Sequence, residues 1–391
     1  MMHEMDFVDE YYADKDLSLL KKLTLVIPTY NRNYYLSRCL WYHAHFPFGE
    51  IIVADSSPEE KKVVNRETVQ KIREKFGANV RYLEYEPETE KYGGDIYRKW
   101  GDAVQHVETE YSQIVTDKEF VIPTTSVECI DYLNRYEDYV TAQGERKIAY
   151  LFTFNRCQIK TWGHSCSFDD DSVIDRLKKY NSNRTPDEIL LNIHRAKKHK
   201  EYYQCYHDSK LNDFRFGEAQ LELQPLLAGK AKYFTQMPGK MRDVTRVHNN
   251  NSESSSTRYI SLSLYPPERK KNLVAILSNC FQNNLNTQSH TTDNPRNSDE
   301  ILEIVLEIIK WWFCADIYPQ KSNKDIFRKY PCLGKIWMAI PTKLQLYLSV
   351  MLANEIVLRK NNIFNRDNEI KIISKMINET KQMYKEDMKI C

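Results

Sequence analysis

Two carboxylates two positions apart, Asp117 and Glu119, close the stretch Tyr111-Ser-Gln-Ile-Val-Thr-Asp117-Lys118-Glu119-Phe120. Oxygen groups arranged this way are hard ligands for Mg²⁺ or Mn²⁺, and such a cation commonly also holds substrate phosphates. The apolar Ile114 and Val115 just before them read as a buried strand. If that strand continues, alternation points both carboxylates in one direction; if it turns, both sit at its carboxyl end. Either way they lie where open α/β sheets bind ligands, outside the carboxyl ends of strands. An acidic pair after a strand also occurs as a plain solvated turn, so its meaning depends on the elements that position it.

Three earlier strand ends supply polar groups of their own. The β-branched run Leu23 to Ile27 is stopped by Pro28-Thr29-Tyr30-Asn31-Arg32, with Asn31 placed to cap a helix carrying Leu36, Cys39, Leu40 and His43. Ile51 to Ala54 is a second strand, ended by Asp55-Ser56-Ser57-Pro58. A charged helix over 60–76 follows, with Val64, Ile72 and Phe76 among its apolar positions, and then a third strand, Val80 to Leu83. A Gly93-Gly94 turn leads into a helical segment carrying Arg98 and Lys99, and the Asp117 strand comes next. Strands alternating with helices imply a parallel sheet with right-handed crossovers. Adjacent strand ends in such a sheet form one crevice, so these groups can share one site.

Further on, 126–143 reads as a helix and Ile148 to Thr153 as a strand. The polar and aromatic region 155–210 reads either as a substrate-side insertion or as a solvated loop and helix. Phe216 to Gly229 is a helix that Pro225, lacking an amide hydrogen, must kink or shorten. Lys232 to Phe234 is a short strand, and Asn249 to Ser256 is low-complexity. After a second Asn- and Thr-rich shift at 281–299 the chain is helical. Asn297 with Glu300 caps a helix through Ile301, Val305 and Ile308, Thr342 with Gln345 caps another through Leu358, and Ile370, Ile373 and Ile377 mark a last one. Trp311-Trp312-Phe313 suits a packed helix, a partner or a membrane face, while Glu303, Glu307 and Lys310 argue against a spanning helix.

Composition excludes several classes. A formal net charge of +2 over 391 residues gives no basic field and no case for nucleic acid. The nine Cys include no C-x-x-C pair, which fits a reducing compartment better than a disulfide framework. The acidic start Met1-Met-His-Glu-Met-Asp lacks an apolar signal core, and no uncharged apolar run reaches the roughly 18–20 residues a bilayer requires. The expectation is a soluble cytoplasmic protein, able to act at the inner face of a membrane.

With these segments in hand, the sequence resembles the family 2 glycosyltransferases of the GT-A fold. The likeness lies in Leu25-Val-Ile-Pro-Thr-Tyr-Asn-Arg32, Ile51-Ile-Val-Ala-Asp-Ser-Ser57 and Asp117-Lys-Glu119, each in the right strand context. It covers about 23–250 and implies a Rossmann-like, mostly parallel sheet, a nucleotide-sugar donor, a divalent metal and inversion at the anomeric carbon. The chain then divides into an N-terminal extension (1–22), a GT-A glycosyltransferase domain (23–257) and a helical C-terminal region (258–391).

Carried over by residue, the resemblance places Pro28, Thr29, Tyr30 and Arg32 around the nucleotide and Asp55, with Ser56 beside it, at the base or ribose. It gives Asp117 to the ribose or metal, Glu119 to the metal and His248 to the metal as third ligand. The family's base lies about eleven residues before a glycine; from Gly229 that count reaches Glu218, with Glu222 one turn on and Asp213 as further options. Three departures stand out. Lys118 sits between the metal carboxylates, where alternation would point it to the other side. The usual Arg-Asn pair is Trp100-Gly101, leaving Arg98 or Lys99 for the diphosphate. The base is Glu instead of Asp. The implied activity is glycosyl transfer to a glycan or lipid-linked acceptor in polysaccharide or glycoconjugate synthesis. The alternatives are a nucleotidyltransferase, which would want a Gly-rich basic loop after strand one, and a degenerate domain that only binds a nucleotide sugar or a partner. Peripheral membrane contact and homodimerisation through the C-terminal helices stay open.

Overall fold

β1 (Leu23–Thr29) and β2 (Glu50–Asp55) are buried along their whole length, which is why they read as unbroken apolar runs without alternation. The computed structural model describes residues 6–87, 96–151, 157–161, 166–183, 189–209 and 214–243, together with 275, 300–301, 303–308, 373 and 375. In chain order a short α1 (Asp6–Tyr12) precedes β1, and α2 (Asn33–His43) carries the chain to β2. Then come α3 (Glu59–Phe76), β3 (Val80–Glu84), α4 (Ile96–Gln105) and β4 (Tyr111–Ile114). These four strands pair in parallel in the order β3-β2-β1-β4, the Rossmann-like half expected of the chain. The second half is mixed. It contains β5 (Glu119–Val121), α5 (Pro123–Arg135), β6 (Tyr139–Leu151), β7 (Cys157–Thr161), α6 (Val173–Asn183), β8 (Ile193–Arg195), α7 (Ala196–Asp208), α8 (Phe214–Ala228) and β9 (Lys230–Asp243). It extends the same sheet through β8, β6, β9 and β5, with β7 paired to β6.

The two faces of the sheet build two cores. Leu25, Ile27, Ile51 and Val53 pack with Leu36 and Leu40 of α2 and Ile130 and Leu133 of α5. Val26, Ile52 and Ala54, the intervening residues, pack on the other face with Trp100, Val104, Tyr203, Tyr206, Leu223 and Leu226. Each fully buried large aliphatic side chain is worth roughly 1.5–3 kcal/mol, so both faces hold the strand ends in register. Val8 of α1 and Leu20, which fall in the N-terminal extension, are fully buried in the first core.

Several elements differ from what the sequence suggests. The expected helix over 126–143 ends at Arg135, because Tyr139-Val140-Thr141 is β-forming and begins β6. Asn31 does not cap α2; it takes a left-handed φ of 53°, and Arg32 occupies the cap position. Val64 faces solvent, and α3 packs instead through Val69 and Ile72. Pro225 does not shorten α8, which continues to Ala228. The short strand at Lys232 is part of the 14-residue β9. Of the expected C-terminal helical region, residues 275, 300–301, 303–308, 373 and 375 are helical. Trp311-Trp312-Phe313 and the expected helix ending at Leu358 lie outside the described residues. No helix among the described residues is long and apolar enough to cross a membrane.

Candidate functional site

The carboxyl ends of β2, β1 and β4 meet at one edge of the parallel half. Thr29 ends β1 and stands opposite Asp55 at the end of β2. Pro28 sits past the last β4 residue paired to β1, so no ladder bond is lost by its missing N–H. From this end Thr29 Oγ1 donates to Asp117 Oδ2 at 3.0 Å, and Arg32 Nη1 donates to Asp117 Oδ1 at 3.2 Å. The left-handed turn at Asn31, whose N–H donates to Ser57 Oγ at 2.8 Å, brings Arg32 round to that carboxylate. Lys99, buried on α4, donates to Ser56 Oγ at 2.7 Å and to the Thr29 carbonyl at 3.2 Å. Thr29, Arg32, Ser56, Lys99 and Asp117 are therefore one connected cluster, as their positions at strand ends predict. Tyr30 lies half-exposed beside it.

Asp55 has another environment. It is fully buried, its Oδ1 accepts the Ser57 N–H at 2.7 Å, and its Oδ2 accepts from Asn65 at 2.7 Å and Tyr82 OH at 2.5 Å. It ties the end of β2 to α3 and β3. A base or ribose contact would require one of these donors to yield.

The acidic motif splits at the turn between β4 and β5. Glu119 opens β5 opposite Arg242 of β9. Its Oε1 accepts from Arg242 Nη2 at 2.7 Å and Nε at 2.9 Å, with Lys240 Nζ 3.7 Å away, and its Oε2 accepts the Thr116 N–H at 3.0 Å. Because the chain turns here, strand alternation does not govern Lys118. Its Nζ lies 4.3 Å from the Tyr35 ring centroid, in the same cluster as Asp117. Burial, and then the nearby Arg32 charge, lower the Lys118 pKa. Behind it Arg38 pairs with Asp243 at 2.6 Å, both buried, with the guanidinium 5.2 Å from the Phe120 ring centroid. Arg242 and the Arg38–Asp243 pair are missed by sequence reasoning, and Lys118, expected to point to the other side, instead lies near Arg32 and Asp117. The signal lay in Arg242-Asp243, visible only to a reading that carried β9 far enough to face Glu119.

A divalent metal at these carboxylates would have to displace, or sit against, the cations already paired with them. Asp117 is shared between Thr29 and Arg32, and Glu119 is held by Arg242 and the Thr116 amide. No three His, Cys, Asp or Glu side chains among the described residues stand close enough to share a metal ion. The described residues do not fit a metal site, and His248 lies outside them.

The expected base region borders the cluster through α4. Gly217, beside Glu218 in the first turn of α8, packs so tightly that a Cβ there would lie 2.8 Å from Tyr206 Cε2 and 3.0 Å from Tyr97 Cδ2. The Arg98 guanidinium stands 5.6 Å from the same Tyr206 ring, so Arg98 and Gly217, the residue before Glu218, meet one aromatic ring. Glu218 is half-buried. Glu222 is fully buried and accepts from Tyr180 OH and the Leu190 N–H, each at 3.2 Å, which places it inside the second core. Gly101, which stands where the family carries part of its Arg-Asn pair, has a structural reason. A Cβ would lie 2.8 Å from His207 Nε2 and Tyr203 Cδ1, so it permits the close crossing of α4 and α7. Asp213 and Gly93-Gly94 lie outside the described residues.

Neither a family model nor a curated protein sequence matches the chain. Among solved structures it is similar to S. aureus TarS 1-349, at 14% identity and a TM-score of 0.47, covering 82% of this chain and 81% of that one. The TarS 1-349 complex with UDP-GlcNAc gives 16% identity and a TM-score of 0.48 over the same shares. Against the longer TarS structure the chain covers 49% of that protein, at a TM-score of 0.42.

Proposed function

We propose that this chain is a glycosyltransferase that moves a sugar from a nucleotide-sugar donor to a hydroxyl acceptor with inversion. One observation carries this: Thr29, Arg32, Ser56, Lys99 and Asp117, drawn from three adjacent strand ends and one helix, interlock in the crevice where such sheets bind ligands. Asp117, fixed by Thr29 and Arg32, is suited to accept from a ribose hydroxyl. Arg98, over the Tyr206 ring that Gly217 packs against, is the candidate to meet the sugar on the side of Glu218.

The chemistry is a direct displacement. The acceptor oxygen attacks the anomeric carbon, and the bond from that carbon to the diphosphate oxygen breaks with its electron pair passing to the leaving group. The acceptor proton goes to a carboxylate base. Glu218 is the candidate for that base; Glu222 is enclosed by Tyr180 and the Leu190 amide and cannot reach an acceptor. The acceptor class that fits is a saccharide hydroxyl, free or lipid-linked.

A thermal-shift panel of nucleoside diphosphates and nucleotide sugars tests the donor site, because a ligand that binds only the folded state raises the melting temperature. The expected result is a rise with one base, lost in Asp117→Ala. No rise with any nucleotide would remove the donor site. Binding with neither donor hydrolysis nor transfer would leave a non-catalytic nucleotide-sugar domain, the reading that the ion-paired Asp117 and Glu119 favour.

A further inference from the structure

Among the described residues, cations outnumber carboxylates at the strand-end cluster. Around the acidic motif, Arg32, Arg38, Lys118, Lys240 and Arg242 face Asp117, Glu119 and Asp243. Lys99 adds a further ammonium at the ends of β1 and β2. A divalent cation bound at Asp117 would have to evict Arg32 from the carboxylate and would sit among these cations. A diphosphate meets the opposite situation: partly desolvated cations held in place by aromatic rings and carboxylates.

We propose that Arg32 and Lys118 bind and neutralise the donor diphosphate directly, so that this chain uses its nucleotide without a divalent metal. The proposal rests on the donor-site reading above. Arg32 has 48% of its side-chain surface exposed at the crevice while one nitrogen is anchored on Asp117. A guanidinium so placed suits the paired oxygens of a phosphate. Lys118 is held over the Tyr35 ring, so little freedom is lost when it meets an anion. The cation that interrupts the acidic motif thereby supplies the charge neutralisation that a metal would otherwise supply. When the glycosidic carbon–oxygen bond breaks, the electron pair adds a negative charge to the departing diphosphate, and the two side chains stabilise it. The acceptor proton leaves through the carboxylate base as before.

Isothermal titration of the full chain with UDP, GDP, CDP, ADP and dTDP, in excess EDTA and again in Mn²⁺, tests this. The expected result is one nucleotide that binds with the same affinity in both buffers. Lys118→Gln should weaken that binding about tenfold or more, the worth of one charge-assisted hydrogen bond, while Lys118→Arg retains most of it. Arg32→Lys is the second variant, and it should weaken binding without lowering the melting temperature. Binding that appears only with Mn²⁺ would overturn the proposal and leave the donor site standing, as would affinity unchanged in a folded Lys118→Gln. No binding of any of the five in either buffer would remove the donor site and this proposal with it.

Discussion

Arg38 and Asp243 form an ion pair with almost no access to water, at 2% and 1% side-chain exposure. Taking one partner from such a pair leaves a buried charge, at a cost of about 3–5 kcal/mol. Arg38→Ala should therefore lower the urea midpoint strongly, and the Tyr34, Tyr35 and Phe120 rings around the guanidinium lose a packing surface with it. A change below about 1 kcal/mol, the range of exposed pairs, would show that the pair is solvated. Arg32–Asp117 is of the exposed-rim kind, since Arg32 is half in solvent, so its variants should change ligand binding far more than stability. At this scale the sequence is readable where a residue's role follows from its place at a strand end. Thr29, Asp117 and Lys99 fall into one cluster as that rule predicts. The partners of Glu119 are not readable, because they depend on β5, only three residues long, pairing with the far end of β9.

The elements depend on buried neutral histidines. His43 on α2 accepts the Val121 N–H of β5 through Nε2 at 3.2 Å, which assigns its proton to Nδ1, facing the Cys39 carbonyl at 2.8 Å. His194 on β8 lies in the centre of the sheet with Nε2 2.9 Å from the Ile189 carbonyl. Burial lowers both pKa values from 6.5 to about 4. The unfolded chain thus binds protons first as pH falls. The stability these residues give is complete above about pH 6.5 and is lost as pH drops towards 4, by up to about 2 kcal/mol per histidine at pH 5. Urea midpoints at pH 7 and pH 5 measure this, and a flat profile in that window would contradict it. Protonation of His43 in the folded chain, near pH 4, also breaks its bond to β5, the strand that begins with Glu119, so ligand binding should weaken only as pH falls towards 4. A second test at this scale is Gly217→Ala. The added Cβ meets Tyr206 and Tyr97, which shifts the start of α8 and the carboxylate next to it. Turnover should fall at least tenfold while nucleotide affinity at the strand ends stays unchanged; an equal loss of both would place Glu218 outside the chemistry. The four parallel strands are legible from their apolar runs. β8 is not, because Ile193-His194-Arg195 is too short and too polar to announce a strand between β4 and β6.

For the whole molecule, the segment around 300–308 joins the second core instead of standing apart. Ile301, Ile304, Val305 and Ile308 are buried with Leu177, Tyr180 and Leu223. Lys178 pairs with Glu300 at 2.7 Å, and Asn181 donates to Glu307 at 3.1 Å. Val305→Asp would bury an uncompensated carboxylate in that core and should destabilise the sheet domain itself, visible as a single cooperative transition at a lower urea concentration. A separate transition at low urea, with the main one unchanged, would mean that this helix folds on its own. The capping signal of Asn297 and Glu300 marks this helix in the sequence. Where the helix docks is not marked, because an amphipathic stripe says which side is buried and not against what.

A strand-end cluster that holds a nucleotide sugar for transfer must release the nucleoside diphosphate. Release of nucleoside diphosphate from a panel of nucleotide sugars, with saccharide acceptors and without, in the wild-type chain and in Asp117→Asn, tests it most directly. The expected result is release from one donor, stimulated by an acceptor, persisting in EDTA, and reduced at least a hundredfold in Asp117→Asn with folding intact. Release from no donor, or full activity in Asp117→Asn, would contradict it.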